Sequence, residues 1–320
     1  MLGRQRGEQR LAVDLFSHEA EFRRVRGQPS PRGPPDRVYS RGIEDAFSIG
    51  GDLRVRRLGF GAMRLCGPNI LGWPEPREHA LEVLLRAVEL GVQLIDTALA
   101  YGPEVNELQI AEALFPYPEG VVIATKGGAL RGPRGEWLDD GRPEAIREHC
   151  EGSLRRLRLE RIDLYQLHAP DRKVPLEDSV GALAELRGEG KIRHVGLSNV
   201  SVRELETALR IVPIASVQNS YSLADRSSED VLDRCEREQI AFLPYFPLRP
   251  VRFGVDPTVE RIARANDATP PQVALAWLLR RSPVICPIPG TSSLEHLEEN
   301  MAAAAGLRLS EEDLAPLGSG

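Results

Sequence analysis

The sequence predicts one (β/α)8 barrel carrying an N-terminal β-hairpin, and three observations lead there. Short apolar runs alternate with amphipathic helical stretches from about residue 58 to the C-terminus, with no linker between them. That is the pattern of a parallel sheet covered by helices. Several of these runs end in polar groups: Ile95-Asp96 with Tyr101 just beyond, Thr125-Lys126, Leu167-His168 and Leu197-Ser198-Asn199. In a parallel barrel the C-terminal strand ends share one rim, so such groups converge. Lastly, Gly59-Phe60-Gly61-Ala62-Met63-Arg64 does not complete the G-x-G-x-x-G that a doubly wound sheet calls for after its first strand.

Residues 1–45 stand apart by composition. Arginine, proline and glycine crowd this stretch, around Gly27-Gln28-Pro29-Ser30-Pro31-Arg32-Gly33-Pro34-Pro35. It reads as a disordered N-terminal extension, without the long apolar core of a secretion signal. The barrel domain is expected over residues 46–320. Residues 48–55 form a small hairpin turning at Gly50-Gly51. Leu58-Gly59-Phe60-Gly61 is the first strand, and its glycines indicate that something approaches the backbone closely.

The first helix is written in Ala80, Val83, Leu84, Ala87 and Val88, spaced for one face, with Gly91 ending it. Strand 92–95 follows. Leu108, Ala111, Leu114 and Phe115 mark a helix before strand 121–125; Ile146, Cys150, Leu154 and Leu157 mark another before strand 162–167. Helix 176–187 precedes strand 191–197, helix 202–211 precedes strand 214–218, and helix 228–238 precedes strand 240–245. Helical stretches at 258–265 and 270–281 precede Val284-Ile285-Cys286-Pro287-Ile288, the eighth strand, and a last helix starts at about Leu294.

Composition bounds the function classes. A chain of 320 residues fits one such barrel with an extension. No apolar run reaches the roughly 18 residues of a membrane helix. The net charge of −6 and the lack of a basic face argue against a nucleic-acid partner. Cys66, Cys150, Cys235 and Cys286 are scattered, without CxxC or metal-ligand spacing. They read as reduced, buried residues, and the compartment as cytoplasmic.

The four rim residues have a joint chemistry. A tyrosine hydroxyl is a poor acid at neutral pH, and a nearby Lys⁺ draws it toward the working range. A carboxylate beside that lysine keeps it charged, and a histidine can orient a carbonyl oxygen. Such a group protonates a carbonyl that receives hydride from an organic cofactor, since neither a nucleophile with a paired base nor a metal-ligand cluster is evident. Each residue alone has a plainer role: Tyr101 in a loop, Asp96 and Lys126 as a structural ion pair, His168 in the core. Their shared place at strand ends favours function. His79, His149 and His194 lie on helix faces or at strand starts and read as structural or solvated. Trp277 fits a helix core, whereas Trp73 and Trp137 sit in loops above the rim, where pocket lining and plain loop packing are equally consistent.

On these motifs the chain resembles an aldo-keto reductase over about residues 48–315. Ile95-Asp96-Thr97-Ala98 with Tyr101-Gly102, Ala124-Thr125-Lys126-Gly127 and Leu164-Tyr165-Gln166-Leu167-His168 are similar to the family's signature segments, closest to pyridoxal-reductase-like bacterial members. The resemblance implies Tyr101 as general acid/base, Lys126 and Asp96 as its tuners, and His168 as carbonyl orienter. It implies NADPH as cofactor, with NADH as an alternative. Ser198, Asn199 and Gln218 then hold the nicotinamide carboxamide, and Tyr245 stacks on its ring. Gly61, Met63, Pro247 and Leu248 join the cofactor wall, and Gly290, Thr291, Ser292, His296, Glu299 and Asn300 take the adenosine phosphate and adenine.

Two departures stand out. His296 falls where many relatives carry an arginine against the 2′-phosphate. The loop after Tyr245, Phe246 to about Asp256, lacks the glycine-rich clamp many relatives have, with Arg249 or Arg252 as substitutes. The expected activity is NADPH-dependent reduction of a small-molecule aldehyde or ketone. The alternative is a cofactor-binding regulatory subunit with little turnover, like the β subunits of potassium channels.

Overall fold

The computed structural model describes residues 46–249 and 256–318. The extension expected over residues 1–45 and the loop residue Arg252 lie outside the described residues. Strands β1 (Ala46–Ile49) and β2 (Leu53–Arg56) pair antiparallel, with Ile49 opposite Leu53. Their turn runs through Gly50 and Gly51 at φ of +62° and +88°, a region that suits glycine. A Cβ on Gly50 would lie 2.3 Å from the His194 ring. Ile49, Leu53 and Val55 are buried in one cluster with Leu94, Val122, Leu164, Ala215 and Ala241. Asp52 ties the turn to His194 at 2.6 Å and to Arg193 at 2.7 Å. The hairpin thus covers the N-terminal mouth of the sheet, leaving the opposite rim for chemistry.

Strands β3 (Phe60–Gly61), β4 (Leu94–Asp96) and β5 (Val122–Gly127) come next, followed by a small antiparallel pair, β6 (Ala129–Arg131) and β7 (Trp137–Asp139). After these come β8 (Ile162–Leu167), β9 (Ile192–Ser198), β10 (Ile214–Gln218) and β11 (Ala241–Phe242). Seven of them form one parallel sheet in the order β11-β10-β9-β8-β5-β4-β3. An eighth stave closes it. The Phe242 N–H donates to the Val284 carbonyl at 2.9 Å, and the Cys286 N–H donates to Phe242 at 2.8 Å. On the other side Gly59 and Gly61 donate to the carbonyls of Pro287 and Pro289, at 2.9 and 3.4 Å. Pro287 and Pro289 have no N–H to return, so this stave lacks half of a regular ladder.

The close approach expected at the first-strand glycines is made by protein. A Cβ on Gly61 would lie 2.7 Å from the Ile288 carbonyl oxygen, and one on Gly290 would lie 2.6 Å from that of Gly61. Both glycines are demanded by closure of the barrel.

Helices α1 (Arg77–Glu89), α2 (Val105–Leu114), α3 (Pro143–Leu157), α4 (Leu176–Gly188), α5 (Val202–Leu209) and α6 (Glu229–Glu238) alternate with the strands. Helices α7 (Pro257–Ala265) and α8 (Pro270–Arg281) precede the eighth stave, and α9 (Leu294–Gly306) follows it. Helix α1 buries Ala80, Val83, Leu84 and Ala87, and Gly91 beyond its end takes φ +87°. Helix α8 starts with Pro270 in a capping box made by Thr269 and Gln272; its Trp277 is buried and stacks on Tyr221 at 6.1 Å. All four cysteines are buried, and loss of water pushes each thiol up to about 12. Among the described residues no helix is long and apolar enough to cross a membrane.

Candidate active site

Strand periodicity delivers the site. Side chains two residues apart in a strand share a face. Leu94 lies in the inner core and Asp96 follows two residues on; Ala124 is followed by Lys126, and Leu164 by Gln166 and then His168. The same inward rows that begin as aliphatic core therefore end as polar groups at the C-terminal rim.

Lys126 and Asp96 are fully buried and form an ion pair at 2.7 Å. The Lys126 ammonium also donates to the Thr97 carbonyl at 2.9 Å and, more weakly, to the Tyr101 hydroxyl at 3.4 Å. Asp96 uses its other oxygen to accept from Gln218 at 2.8 Å and from Gln166 at 3.3 Å. Loss of water draws the Lys126 ammonium below the usual lysine range, and the Asp96 carboxylate opposes that pull. His168 packs edge-on against Tyr101, with ring centroids 5.7 Å apart. The four expected catalytic residues are thus brought together.

One expectation is corrected. Lys126 does not bring the Tyr101 hydroxyl down into the working range. Burial first, and then the Asp96 charge, holds it well above the ordinary phenol range. The lysine's charge is met at 2.7 Å by Asp96, so its pull on Tyr101 at 3.4 Å is outweighed by burial and by the carboxylate. The tyrosine is a proton holder at neutral pH. His168 keeps part of its surface open to the rim but is ringed by protein. Burial, with the Lys126 charge, pushes its pKa down to about 3, so the ring is neutral.

The residues assigned to a cofactor line the rim from β9 round to α9. Asn199, at φ +59°, donates to the His168 carbonyl at 2.9 Å and accepts from the Tyr245 hydroxyl at 2.7 Å. Tyr245 is thereby held beside Ser198 and Gln218. The amide nitrogen of Gln218 is engaged by Asp96, leaving its oxygen without that partner. Pro247 and Leu248 are buried, while Arg249 is exposed with its guanidinium 5.1 Å from the Phe246 ring. Met63 packs on the cluster of Cys66, Ala98 and Tyr101.

At the eighth stave, Thr291 accepts from the Ser293 N–H, and Ser293 caps α9 by accepting from His296 N–H at 3.2 Å. His296 and Ser292 are exposed and Glu299 is half-buried. Asn300 is buried, yet neither of its side-chain polar atoms has a hydrogen-bond partner. A buried amide left unpaired costs free energy, so an adenine edge meeting Asn300, two turns into α9, fits the residues present.

Several participants were not singled out in advance. Gln166 sits buried at an inward position of an apolar strand, where periodicity predicts an aliphatic side chain. Glu107 is wholly buried, accepting from Thr125 at 2.6 Å and from Arg156 at 2.6 Å beneath β5. Trp137 belongs to β7 and not to a loop. Its ring lies 6.4 Å from that of Tyr101 and 5.4 Å from that of His168. Trp73 instead stacks under Arg77 at 3.8 Å. His149 accepts from the Gly128 N–H and His79 meets the Ser292 carbonyl, in line with their structural reading.

Comparison with known proteins agrees with this geometry. The model of the Aldo/keto reductase family matches residues 57–319. The chain is similar to pyridoxine 4-dehydrogenase of Escherichia coli, at 43% identity over 279 residues covering 85% of this chain and 97% of that protein. It is also similar to an uncharacterized oxidoreductase of Schizosaccharomyces pombe, at 46% identity over 268 residues, 83% of this chain and 87% of that one. Among solved structures, an aldo-keto reductase from Klebsiella pneumoniae in complex with NADPH superimposes with a TM-score of 0.74 at 28% identity, covering 86% of this chain and 94% of that one.

Proposed function

This chain belongs to the aldo/keto reductase family, and from that membership we propose that it reduces an aldehyde or ketone to the alcohol with NADPH, taking the proton from Tyr101. The observation that carries this reading is the buried Asp96–Lys126–Tyr101 chain beside a neutral His168. Bound nicotinamide supplies the hydride; the residues of this chain do the rest. Neutral His168, edge-on to Tyr101, orients the carbonyl oxygen. As negative charge grows on that oxygen, the Tyr101 hydroxyl gives up its proton. An alkoxide is a stronger base than a phenolate, so the transfer runs downhill despite the raised tyrosine pKa. Lys126, anchored by Asp96, lies against the tyrosine oxygen as it becomes negative, and its preorganised charge stabilises the phenolate without rearrangement.

Ser198, Asn199, Gln218 and Tyr245 make the nicotinamide end of the cofactor groove in this reading, with Gly61 and Met63 between the two ends. Gly290, Thr291, Ser292, His296, Glu299 and Asn300 make the adenosine end. With His296 in place of an arginine, the grip on a 2′-phosphate falls to neutral donors and one imidazole, so the preference over NADH is modest. The similarity to pyridoxine 4-dehydrogenase makes pyridoxal and related aromatic aldehydes the first substrates to try.

The test is NADPH oxidation followed at 340 nm across pyridoxal, methylglyoxal and aromatic aldehydes. Turnover with at least one carbonyl is expected. Tight NADPH binding without turnover of any of them would instead point to a non-catalytic cofactor-binding protein.

A further inference from the structure

A cleft of about 760 Å³ is lined among others by Met63, Cys66, Ile70, Trp137 and Arg131. Three of these, Met63, Cys66 and Ile70, belong to the cluster that packs on Tyr101. Arg131 lies at the end of β6, and its guanidinium sits 4.6 Å from the centre of the Trp137 ring, the same ring that meets Tyr101 and His168 edge-on.

Two of its three nitrogens are committed. Nε donates to the Gly135 carbonyl at 2.9 Å, and Nη2 donates to Gly135 at 2.6 Å and to Asn69 at 3.0 Å. These bonds and the stacking on Trp137 hold the fork in one orientation. The third nitrogen, Nη1, is buried and has no hydrogen-bond partner.

Nor does a carboxylate face it. Arg156, Arg193 and Arg281 are also at least half-buried, and each pairs with acids: Glu107 at 2.6 Å, Asp52 at 2.7 Å and Asp233 at 2.9 Å respectively. Arg131 forms no ion pair with any acid among the described residues, and Glu75, the carboxylate lining the same cleft, forms none either. A half-buried positive charge without a counter-ion carries part of the desolvation cost of burial. A guanidinium held through two nitrogens, with the third unpartnered, has a donor left for an oxyanion.

We propose that Arg131 is the anion-binding residue of the substrate cleft, and that the enzyme prefers carbonyl compounds bearing a remote carboxylate or phosphate. The proposal rests on the carbonyl-reductase reading. The carbonyl lies at Tyr101 and His168, the body of the substrate runs along the Trp137 face, and its anionic group meets Arg131 Nη1. The selectivity is electrostatic as well as geometric, so it weakens with salt.

The test compares matched pairs: 3-carboxybenzaldehyde with its methyl ester, succinic semialdehyde with butanal, and pyridoxal 5′-phosphate with pyridoxal. The first two pairs read carboxylate, the third phosphate. The anionic member of at least one pair is expected to be favoured in kcat/KM by about tenfold or more, as a charged hydrogen bond allows, and by less at high salt. In Arg131→Met that ratio falls toward one. Arg131→Lys keeps the charge while losing the bridge between Asn69 and Gly135. If the residue merely braces the loop, the lysine variant fails as badly as methionine and the ratio does not track charge.

A binding arm needs no turnover. Benzoate should quench Trp137 fluorescence in the NADP⁺ complex at lower concentration than benzamide, and Arg131→Met should erase the difference. Equal kcat/KM within every pair, with neutral carbonyls well reduced, overturns this inference and leaves the reductase reading standing. No reduction of any carbonyl overturns both.

Discussion

The Lys126 ammonium has three protons and three acceptors around it: Asp96, the Thr97 carbonyl and, farthest, the Tyr101 hydroxyl. That order of distances decides the tyrosine's chemistry. Because the Tyr101 hydroxyl is held well above the ordinary phenol range by burial and by Asp96, it keeps its proton at every pH below that raised value. Reduction consumes the proton, so kcat/KM for reduction should be flat from about pH 6 to pH 9. His168, depressed to about 3, is neutral across the same window and adds no acidic limb. Alcohol oxidation needs the hydroxyl without its proton and should rise as pH increases. Steady-state rates in both directions, with an alkali-stable substrate, check this; a reduction rate that halves between pH 7 and 8 would mean that Lys126 brings Tyr101 into the working range after all.

At this scale the identities of Asp96, Lys126 and His168 were legible because each ends a short apolar run, and Tyr101 because it lies just beyond one. Their protonation was not. A sequence shows that a lysine comes near a tyrosine but not that a carboxylate comes nearer. The orphaned Arg131 was unreadable for the same reason: its lack of a partner is a property of three-dimensional neighbours.

Elements with two agreeing signals were legible. Helix α1 has both an apolar stripe and a terminating glycine, and α8 has a capping residue followed by proline. The eighth stave was legible as an apolar run, yet its prolines keep it from a full ladder, which no periodicity reveals. Strands β6 and β7 were missed because they are three residues each, too short for alternation to register, although Gly132-Pro133-Arg134-Gly135 between them is a turn signal. The N-terminal hairpin gives a sharp test of the packing account. Gly50 has φ +62° and no room beside His194. Gly50→Ala should therefore lower stability by about 1–2 kcal/mol or more. Urea unfolding of the two proteins measures it, and NADPH affinity should hardly move because the hairpin is at the far end of the barrel from the rim. An unchanged midpoint would mean that the hairpin does not pack there.

Across the whole molecule, period-two strands translate a linear pattern into a division of labour. The inner rows are aliphatic where the hairpin plugs the barrel and polar where the rim opens, and the tetrad is the last polar layer. The central claim is that this layer protonates a carbonyl through Tyr101. It is tested most directly by Tyr101→Phe, which keeps the ring that packs on His168 and Trp137 and removes only the hydroxyl. Kd for NADPH should remain within about twofold, and single-turnover reduction of the best aldehyde should slow by about 10²–10⁴-fold, the span of general acid catalysis. Near-normal turnover by a variant that still binds NADPH would contradict the account.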